Sequence, residues 1–328
     1  MKILVTGGAG FIGSHVCEAL LKTGHDVYIY DNFSDYYLPE YKRDNVKHVQ
    51  FTAKECCRSL VIVEGDIQDS EALDQCFRQH SLDAVIHLAA CAGVRPSIED
   101  APLYIDVNLM GTTNILECMK NHEIKKLVFA SSSSVYGNSE KTPFRESDAV
   151  DNPISPYAAT KKAGELICYT YHHLYDINTA CLRFFTVYGP RQRPDLAIYK
   201  FTDKIYKNES IPFYGDGSMG RDYTYIDDIV SGILLALDWT HTGVNLYEIF
   251  NLGESYTVSL KDMLKTIENT TKKAANILQM PVPPGDVNVT CADISKAKQV
   301  LGYNPGTPFN MGIEKFVAWY EAERLIKI

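Results

Sequence analysis

Apolar and polar positions in the first half of the chain follow a repeating alternation. Short, nearly unbroken apolar runs recur at 3–5, 27–30, 60–63, 84–88 and 126–130. A run that is apolar throughout suits a parallel strand covered on both faces. Between the runs, segments at about 12–23, 70–80, 101–121 and 156–175 carry apolar residues at helical spacing. Residues 179–184 read as a sixth strand. Strand–helix alternation of this kind predicts an α/β fold built on a doubly wound parallel sheet.

The rhythm changes after about residue 188. Pro190, Pro194 and Pro212 interrupt it, with glycines at 215, 217 and 220, and Pro281, Pro283, Pro284 and Gly285 do so again. Helical patterns remain at about 226–239, 257–271 and 308–325. The expected organisation is a nucleotide-binding domain over 1–188 and a smaller C-terminal substrate lobe over 189–328. The chain near 222–250 is expected to return to the first domain.

Charge narrows the partners. Lys and Arg number 32 against 41 Asp and Glu, a formal net charge of -9 with no basic stripe. This argues against a nucleic-acid partner but leaves room for a small anionic ligand met by local arginines. No apolar run approaches the roughly 18 residues of a membrane span. The start, Met1 to Gly7, runs into glycines and reads as a first strand, not a signal peptide. Nine scattered cysteines without a Cys-x-x-Cys speak against a disulfide framework or a zinc ribbon. A reducing cytoplasm is the expected location. No metal is expected, since His172-His173 lacks a matching carboxylate pattern. His87, inside an apolar strand, is expected to be a hydrogen-bonded core residue, and Cys56-Cys57 to lie in an insertion-like loop.

Gly7-Gly8-Ala9-Gly10-Phe11-Ile12-Gly13 links the first strand to the first helix. Glycines there allow a tight turn and let a pyrophosphate approach the helix N-terminus, where unpaired N–H groups point outward. Asp31 follows at the end of the second strand, placed to accept hydrogen bonds from an adenosine ribose and to repel a 2′-phosphate. The combination predicts a Rossmann-type NAD site. Asp66-Ile67 either touches adenine or caps the next helix through Asp66 or Asp69.

Tyr157 and Lys161 stand at Tyr-x-x-x-Lys spacing, on one face of a predicted helix. A phenol titrates near ~10 in water, and an adjacent ammonium with a positive nicotinamide is expected to lower that value. Before them, Ser131 to Ser134 end the fifth strand, where ligands sit in such sheets.

Together, the glycine motif, the serine run, Tyr-x-x-x-Lys and Asn108 resemble the extended short-chain dehydrogenase/reductase superfamily. The stretch from Arg183 to Ala197 and that from Gly220 to Asp228 are similar to the UDP-glucuronate 4-epimerase family, and the resemblance spans essentially the full length. It implies Tyr157 as base, Lys161 as keeper of its charge state and of the nicotinamide ribose, and Ser132, 25 residues before Tyr157, as the catalytic hydroxyl. It implies a tightly bound, recycled NAD held by Gly7, Gly10, Phe11, Ile12, Gly13, Asp31, Asn32, Asp66, Ile67, Leu88, Ala89, Ala90 and Asn108, besides Tyr157 and Lys161. It implies a UDP-sugar whose diphosphate meets Arg221 and whose uracil lies along Pro212 and Tyr214. It also implies a homodimer joined by a four-helix bundle from the helices near 101–121 and 156–175.

Within the superfamily, decarboxylases and dehydratases carry a Glu where this chain has Ser134, and UDP-glucuronate decarboxylases carry an arginine in the segment that here runs from Gly285 through Asp286 to Thr290. Galactose epimerases have Asn at Thr186 and a bulky tyrosine at Thr290. Both differences open room for a C6 carboxylate. The expected activity is therefore epimerisation of UDP-glucuronate to UDP-galacturonate through a transient 4-keto sugar. A UDP-glucose/UDP-galactose epimerase, a decarboxylase and a non-catalytic NAD sensor are the alternatives. Ser133, Ser134, Thr186 and an arginine are expected to hold the carboxylate. Arg193 is the first candidate and Arg191 its rival. Arg95 or Arg191 is expected to complete phosphate binding.

Overall fold

The computed structural model describes residues 1–139, 141–281 and 289–325. It opens with β1 (Lys2–Thr6), α1 (Phe11–Lys22), β2 (Asp26–Asp31), α2 (Pro39–Glu55), β3 (Leu60–Glu64), α3 (Ser70–Gln79) and β4 (Ala84–His87). Next come α4 (Val94–Glu99), α5 (Ala101–Ile105), α6 (Gly111–Asn121), β5 (Lys126–Ser132), α7 (Pro156–Tyr175), β6 (Asn178–Phe184) and β7 (Thr186–Tyr188). The chain continues through α8 (Ala197–Tyr206), β8 (Ser210–Tyr214), β9 (Gly220–Tyr225), α9 (Ile226–Trp239), β10 (Tyr247–Leu252) and β11 (Thr257–Ser259). It ends with α10 (Leu260–Thr271), β12 (Asn276–Met280), α11 (Ser295–Leu301) and α12 (Phe309–Tyr320).

Seven parallel strands form the main sheet in the order β10-β6-β5-β4-β1-β2-β3. The order reverses between β1 and β4, the switch point where α/β sheets open a crevice for ligands. Successive side chains point to opposite faces. Ile3, Val5, Ile29, Ile86 and Val128 pack with Val16 and Leu20 of α1 and Ile229 and Ile233 of α9. Leu4, Tyr28, Val85, Leu127 and Phe129 pack on the other face with Ile115, Leu116 and Met119 of α6. Each fully buried side chain of this size contributes about 1.5–3 kcal/mol of apolar transfer free energy. Smaller sheets, β11-β9-β7 and β12-β8, build the second layer of structure. No helix among the described residues is long and apolar enough to cross a membrane.

One helix is not predicted by the sequence pattern, and one expectation is corrected. The segment before Cys56 is a 17-residue helix, α2, begun by Pro39 in its first turn. Cys56 is its C-cap and Cys57 follows at φ 51°. Its apolar stripe is thin, with Val46, Val49 and Ala53 buried on an otherwise polar helix. The predicted helix over 101–121 is three pieces. Asp100 caps α5 by accepting from Leu103 N at 3.2 Å, and a π-helical turn spans Asp106–Met110 before α6. Such turns are frequent at functional sites, and this one contains Asn108.

Inside the sheet, Arg183 and Glu165 are each 1% exposed in their side chains. Arg183 Nε and Nη2 donate to Glu165 Oε1 and Oε2 at 2.8 and 2.9 Å, and Nη1 donates to Tyr136 Oη at 3.0 Å. Ser131 Oγ donates to Glu165 Oε1 at 2.7 Å, and Tyr136 Oη to Asn251 Oδ1 at 2.7 Å. Removing one partner of such a pair strands a buried charge. Arg183→Met is expected to lower the unfolding free energy by about 3–5 kcal/mol, read as a lower urea midpoint. An unchanged midpoint contradicts this role.

Candidate active site

A cleft of about 690 Å³ lies along the C-terminal ends of the central strands. Its floor is the loop after β1. Gly7 takes φ +69°, and a Cβ there would sit 2.8 Å from Ala89 N. At Gly13 a Cβ would meet Gly7 O at 2.2 Å. The two glycines let the loop, the loop after β4 and α1 close on one another. Gly10 caps α1 without any side-chain bond, an arrangement that suits an anion at the helix N-terminus. Gly7, Gly10, Phe11, Ile12 and Gly13 all line the cleft, as do Leu88, Ala89 and Ala90.

Asp31 is buried at the end of β2. Its Oδ2 accepts from Ala9 N at 3.1 Å, while Oδ1 accepts from Phe33 N at 2.9 Å and from Lys42 Nζ at 3.4 Å. A carboxylate has about four lone-pair sites, so the loop contacts leave capacity for a ribose. Asn32 Nδ2 donates to Asp66 Oδ2 at 2.8 Å, tying the ends of β2 and β3 at this wall. Asp66 and Ile67 line the cleft, whereas Asp69 caps α3. His87 is a core histidine bonded to Thr6 Oγ1 and Thr112 Oγ1, and burial pushes its pKa down to about 3.

Ser155 caps α7 and Pro156 opens it, which sets Tyr157 in the first turn and Lys161 one turn later. Lys161 Nζ donates to Ala130 O at 2.8 Å and stands 6.0 Å from the Tyr157 ring centre. Burial pushes the Lys161 ammonium down to about 8. The lowered phenol is expected with a positive nicotinamide bound; in the protein alone the phenol is not lowered. Burial raises the Tyr157 pKa, while the Ser132 hydrogen bond and the Arg193 charge act in the opposite sense. Ser132 Oγ donates to Ser134 Oγ at 3.0 Å and accepts from Ser134 N at 3.2 Å, forming a tight hydroxyl turn that carries Ser133 into the lining.

Asn108 stands behind the wall. Its amide oxygen accepts from Cys91 N at 2.8 Å and its amide nitrogen donates to Cys91 O and Thr160 Oγ1 at 3.0 Å each. It fastens the loop after β4 to α7 and is not part of the lining.

Thr186 and Arg193 also line the cleft. Arg193 pairs side-on with Asp195 at 3.0 and 2.8 Å. The rival arginine is corrected. Arg191, at φ 65°, turns back to Glu18 and His15 on α1, at 2.8 Å from Glu18 Oε1. Arg95 rests over the Tyr214 ring at 5.6 Å. Pro212 and Tyr214 lie on β8, paired with β12. Arg221 Nη1 donates to Gly220 O at 2.9 Å. Thr290 Oγ1 accepts from Asp222 N at 3.1 Å, so this hydroxyl is engaged with β9 beside Arg221. Arg95, Pro212, Tyr214, Arg221 and Thr290 stand outside the lining of the cleft. Asp286 lies outside the described residues.

Sequence reasoning missed Tyr36, Tyr37, Lys42 and Leu196, which also line the cleft, and Asp195. The signal available was a pair of adjacent aromatics in a polar loop soon after Asp31.

The sequence profile described as GDP-mannose 4,6 dehydratase matches residues 4–316. The chain belongs to that family. Among the dehydratase-family relatives, UDP-glucuronate 4-epimerase 4 of Arabidopsis thaliana is 44% identical over 98% of this chain and 75% of its own length. The UDP-glucuronate 4-epimerase of Thermodesulfobacterium geofontis is 43% identical over 96% and 95%. The Bacillus cereus UDP-glucuronic acid 4-epimerase, solved with UDP-glucuronic acid and NAD, superposes with a TM-score of 0.90 at 35% identity, covering 98% of this chain and 99% of that one.

Gly13→Ala is expected to force the loop after β1 away from α1. Overpacking of this kind costs about 1–3 kcal/mol, so dinucleotide affinity should fall by about tenfold or more. Calorimetric titration with NAD checks it, and unaltered affinity contradicts the cradle.

Proposed function

We propose that this dehydratase-family chain is an NAD-dependent UDP-glucuronate 4-epimerase, interconverting UDP-glucuronate and UDP-galacturonate. One observation carries the reading. The Ser132–Tyr157–Lys161 group shares a single cleft with Ser133, Ser134, Thr186 and Arg193, a proton-transfer centre beside a hydroxyl-rich, cationic end suited to a carboxylate. The relatives from Arabidopsis, Thermodesulfobacterium and Bacillus cereus bear names of this activity.

The loop after β1 fits a dinucleotide, because side chains at Gly7 and Gly13 would fill the space where the backbone closes. Gly7, Gly10, Phe11, Ile12 and Gly13 would hold its pyrophosphate, and Asp31 and Asn32 a ribose. Asp66 and Ile67 would stand at adenine, Leu88, Ala89 and Ala90 along the wall. When bound, NAD supplies the hydride acceptor and donor for C4, so no net redox change results. Tyr157 removes the C4 hydroxyl proton and returns it after the 4-keto sugar has turned over. Lys161, still protonated at neutral pH with its pKa about 8, steadies the phenolate through its charge. Ser132 bridges phenol and sugar oxygen by hydrogen bonds. Arg193 and the hydroxyls of Ser133, Ser134 and Thr186 grip the C6 carboxylate. Arg221 takes the diphosphate, with Arg95 beside Tyr214 completing that end; Pro212 and Tyr214 frame the uridine side.

Proton NMR of UDP-glucuronate with the purified protein tests this. UDP-galacturonate supports the reading; a UDP-pentose or an inert sugar acid with turnover of UDP-glucose overturns it. Tyr157→Phe should keep NAD and lose about 10²–10⁴-fold in rate.

The second copy is part of the proposal. Leu166, Tyr169 and Leu174 on α7 and Ile105 and Met110 at α5 and the π turn are exposed apolar side chains, which supports a homodimer through a four-helix bundle. Light scattering should give twice the chain mass, and Leu166→Glu should shift it to one. Nine free cysteines support a reducing cytoplasm.

A further inference from the structure

We propose that Asp195 is a positioning residue that fixes the Arg193 guanidinium for the sugar carboxylate, and thereby determines whether the oxidised sugar keeps its carboxyl group. This rests on the reading of the cleft as a site for UDP-glucuronate.

The local chain builds the pair. Leu196 N donates to Arg193 O at 3.2 Å, closing a turn with Pro194 at its second position and Asp195 at its third. Proline is favoured there because its φ is already set. Arg193 Nε donates to Asp195 Oδ1 at 3.0 Å and Nη2 to Oδ2 at 2.8 Å. Two parallel bonds fix the plane of the fork. They use two of the five N–H donors of a guanidinium, on its side-on edge. The end carrying Nη1 is left for another anion, so Asp195 and a substrate carboxylate can bind Arg193 together.

The pair is oriented across the cleft mouth. Arg193 is 18% exposed in its side chain and lines the cleft, whereas Asp195 is 40% exposed and does not. The carboxylate therefore holds the arginine from the solvent side. The ring of Tyr36 covers the guanidinium, 5.3 Å from Cζ to the ring centre. The Tyr36 and Tyr104 hydroxyls are close enough to perturb one another. The Tyr104 ring meets the Tyr157 ring edge-on, 6.2 Å between centres. Tyr36 and Tyr104 thus stand between the arginine and the phenol proposed for proton transfer.

Orientation matters because a sugar acid oxidised at C4 is a β-keto acid. If the C5–C6 bond lines up with the carbonyl π system, it breaks. Its electron pair enters C4–C5 as the carbonyl oxygen takes the charge, carbon dioxide departs, and C5 takes a proton from water. The hydride removed from C4 stays on the cofactor, leaving a UDP-4-keto-pentose. An arginine free to swing lets the carboxylate find that alignment.

The experiment follows UDP-glucuronate by NMR with the parent protein and with Asp195→Ala, Asp195→Asn, Asp195→Glu and Arg193→Met, recording kcat, KM and the ratio of UDP-4-keto-pentose to UDP-galacturonate. A ratio within one sample does not depend on how much protein is folded. Displacement of about 1 Å in an active site changes rates by about 10²-fold. Asp195→Ala and Asp195→Asn are expected to raise the ratio at least about tenfold and to raise KM, with Asp195→Glu returning both toward the parent. Parent-like ratio and KM in Asp195→Ala, with both altered in Arg193→Met, overturn the role of Asp195 and leave the functional reading standing. Parent-like values in Arg193→Met, or a parent protein inert to UDP-glucuronate, overturn both.

Discussion

A guanidinium and a carboxylate withdrawn from water persist as ions only when each N–H and each oxygen is met, because desolvation of the pair costs several kcal/mol per ion. Arg183 and Glu165 approach that condition: three guanidinium N–H groups go to the carboxylate and Tyr136, and the carboxylate also takes Ser131 and Lys162. The partners come from β5, β6, α7 and the turn after β5. Those are also the elements that carry the proposed catalytic residues. Glu165 lies one turn past Lys161 on α7, and Ser131 immediately precedes Ser132. The distance between the hydroxyl turn and the Tyr–Lys face of α7 is therefore set by a buried ion pair below the cleft. Asn251 extends the same network to β10, its Nδ2 donating to Phe144 O at 2.9 Å. This anchors the strand that completes the sheet at its β6 edge.

Above that anchor, burial acts on Tyr157 and Lys161, the two groups proposed for catalysis, in opposite charge senses but to one effect. It raises the Tyr157 phenol and lowers the Lys161 ammonium, in both cases favouring the uncharged form. The protein alone therefore keeps its base protonated. Ser132 and Arg193 work against this. A cationic nicotinamide placed beside the phenol adds to their side of the balance. On the proposed reading, a filled cleft would favour the phenolate more than the empty one does.

Much of this was legible in the chain. The first six strands read correctly because strands covered on both faces must be apolar at nearly every position, and α7 was visible from its cap and spacing. The glycine loop was legible since its requirement is local: no Cβ fits at Gly13. α2 was lost because its buried stripe is three or four residues on a polar helix, and its docking on α1 is tertiary. The π turn was lost because a changed hydrogen-bond step leaves apolar periodicity nearly intact. Pro194 and Asp195 build a turn at Arg193, but that turn does not by itself reveal which arginine faces the cleft. A left-handed φ at Arg191 sends one to α1 and the other to the cleft. Asp195 and Tyr36 act by where they stand around Arg193, and spacing carries no such information.

The charge arithmetic gains its meaning from the same contacts. A chain with net charge -9 is proposed here to take a ligand with several negative charges. Long-range attraction is not available from the mean field, and beyond about 8 Å salt screens it at physiological ionic strength. The arginines near the cleft are each already constrained, Arg193 by a carboxylate and a ring, Arg95 by the face of Tyr214. Such constraint removes attraction at a distance while lowering the conformational entropy lost on contact. Recognition of the anion is then a matter of the last few ångströms, where a fixed fork distinguishes a carboxylate from a hydroxymethyl group by geometry as much as by charge. An epimerase has reason to favour this arrangement, since its product and substrate carry the same charge and only the orientation of the bound sugar separates turnover from loss of the carboxyl group.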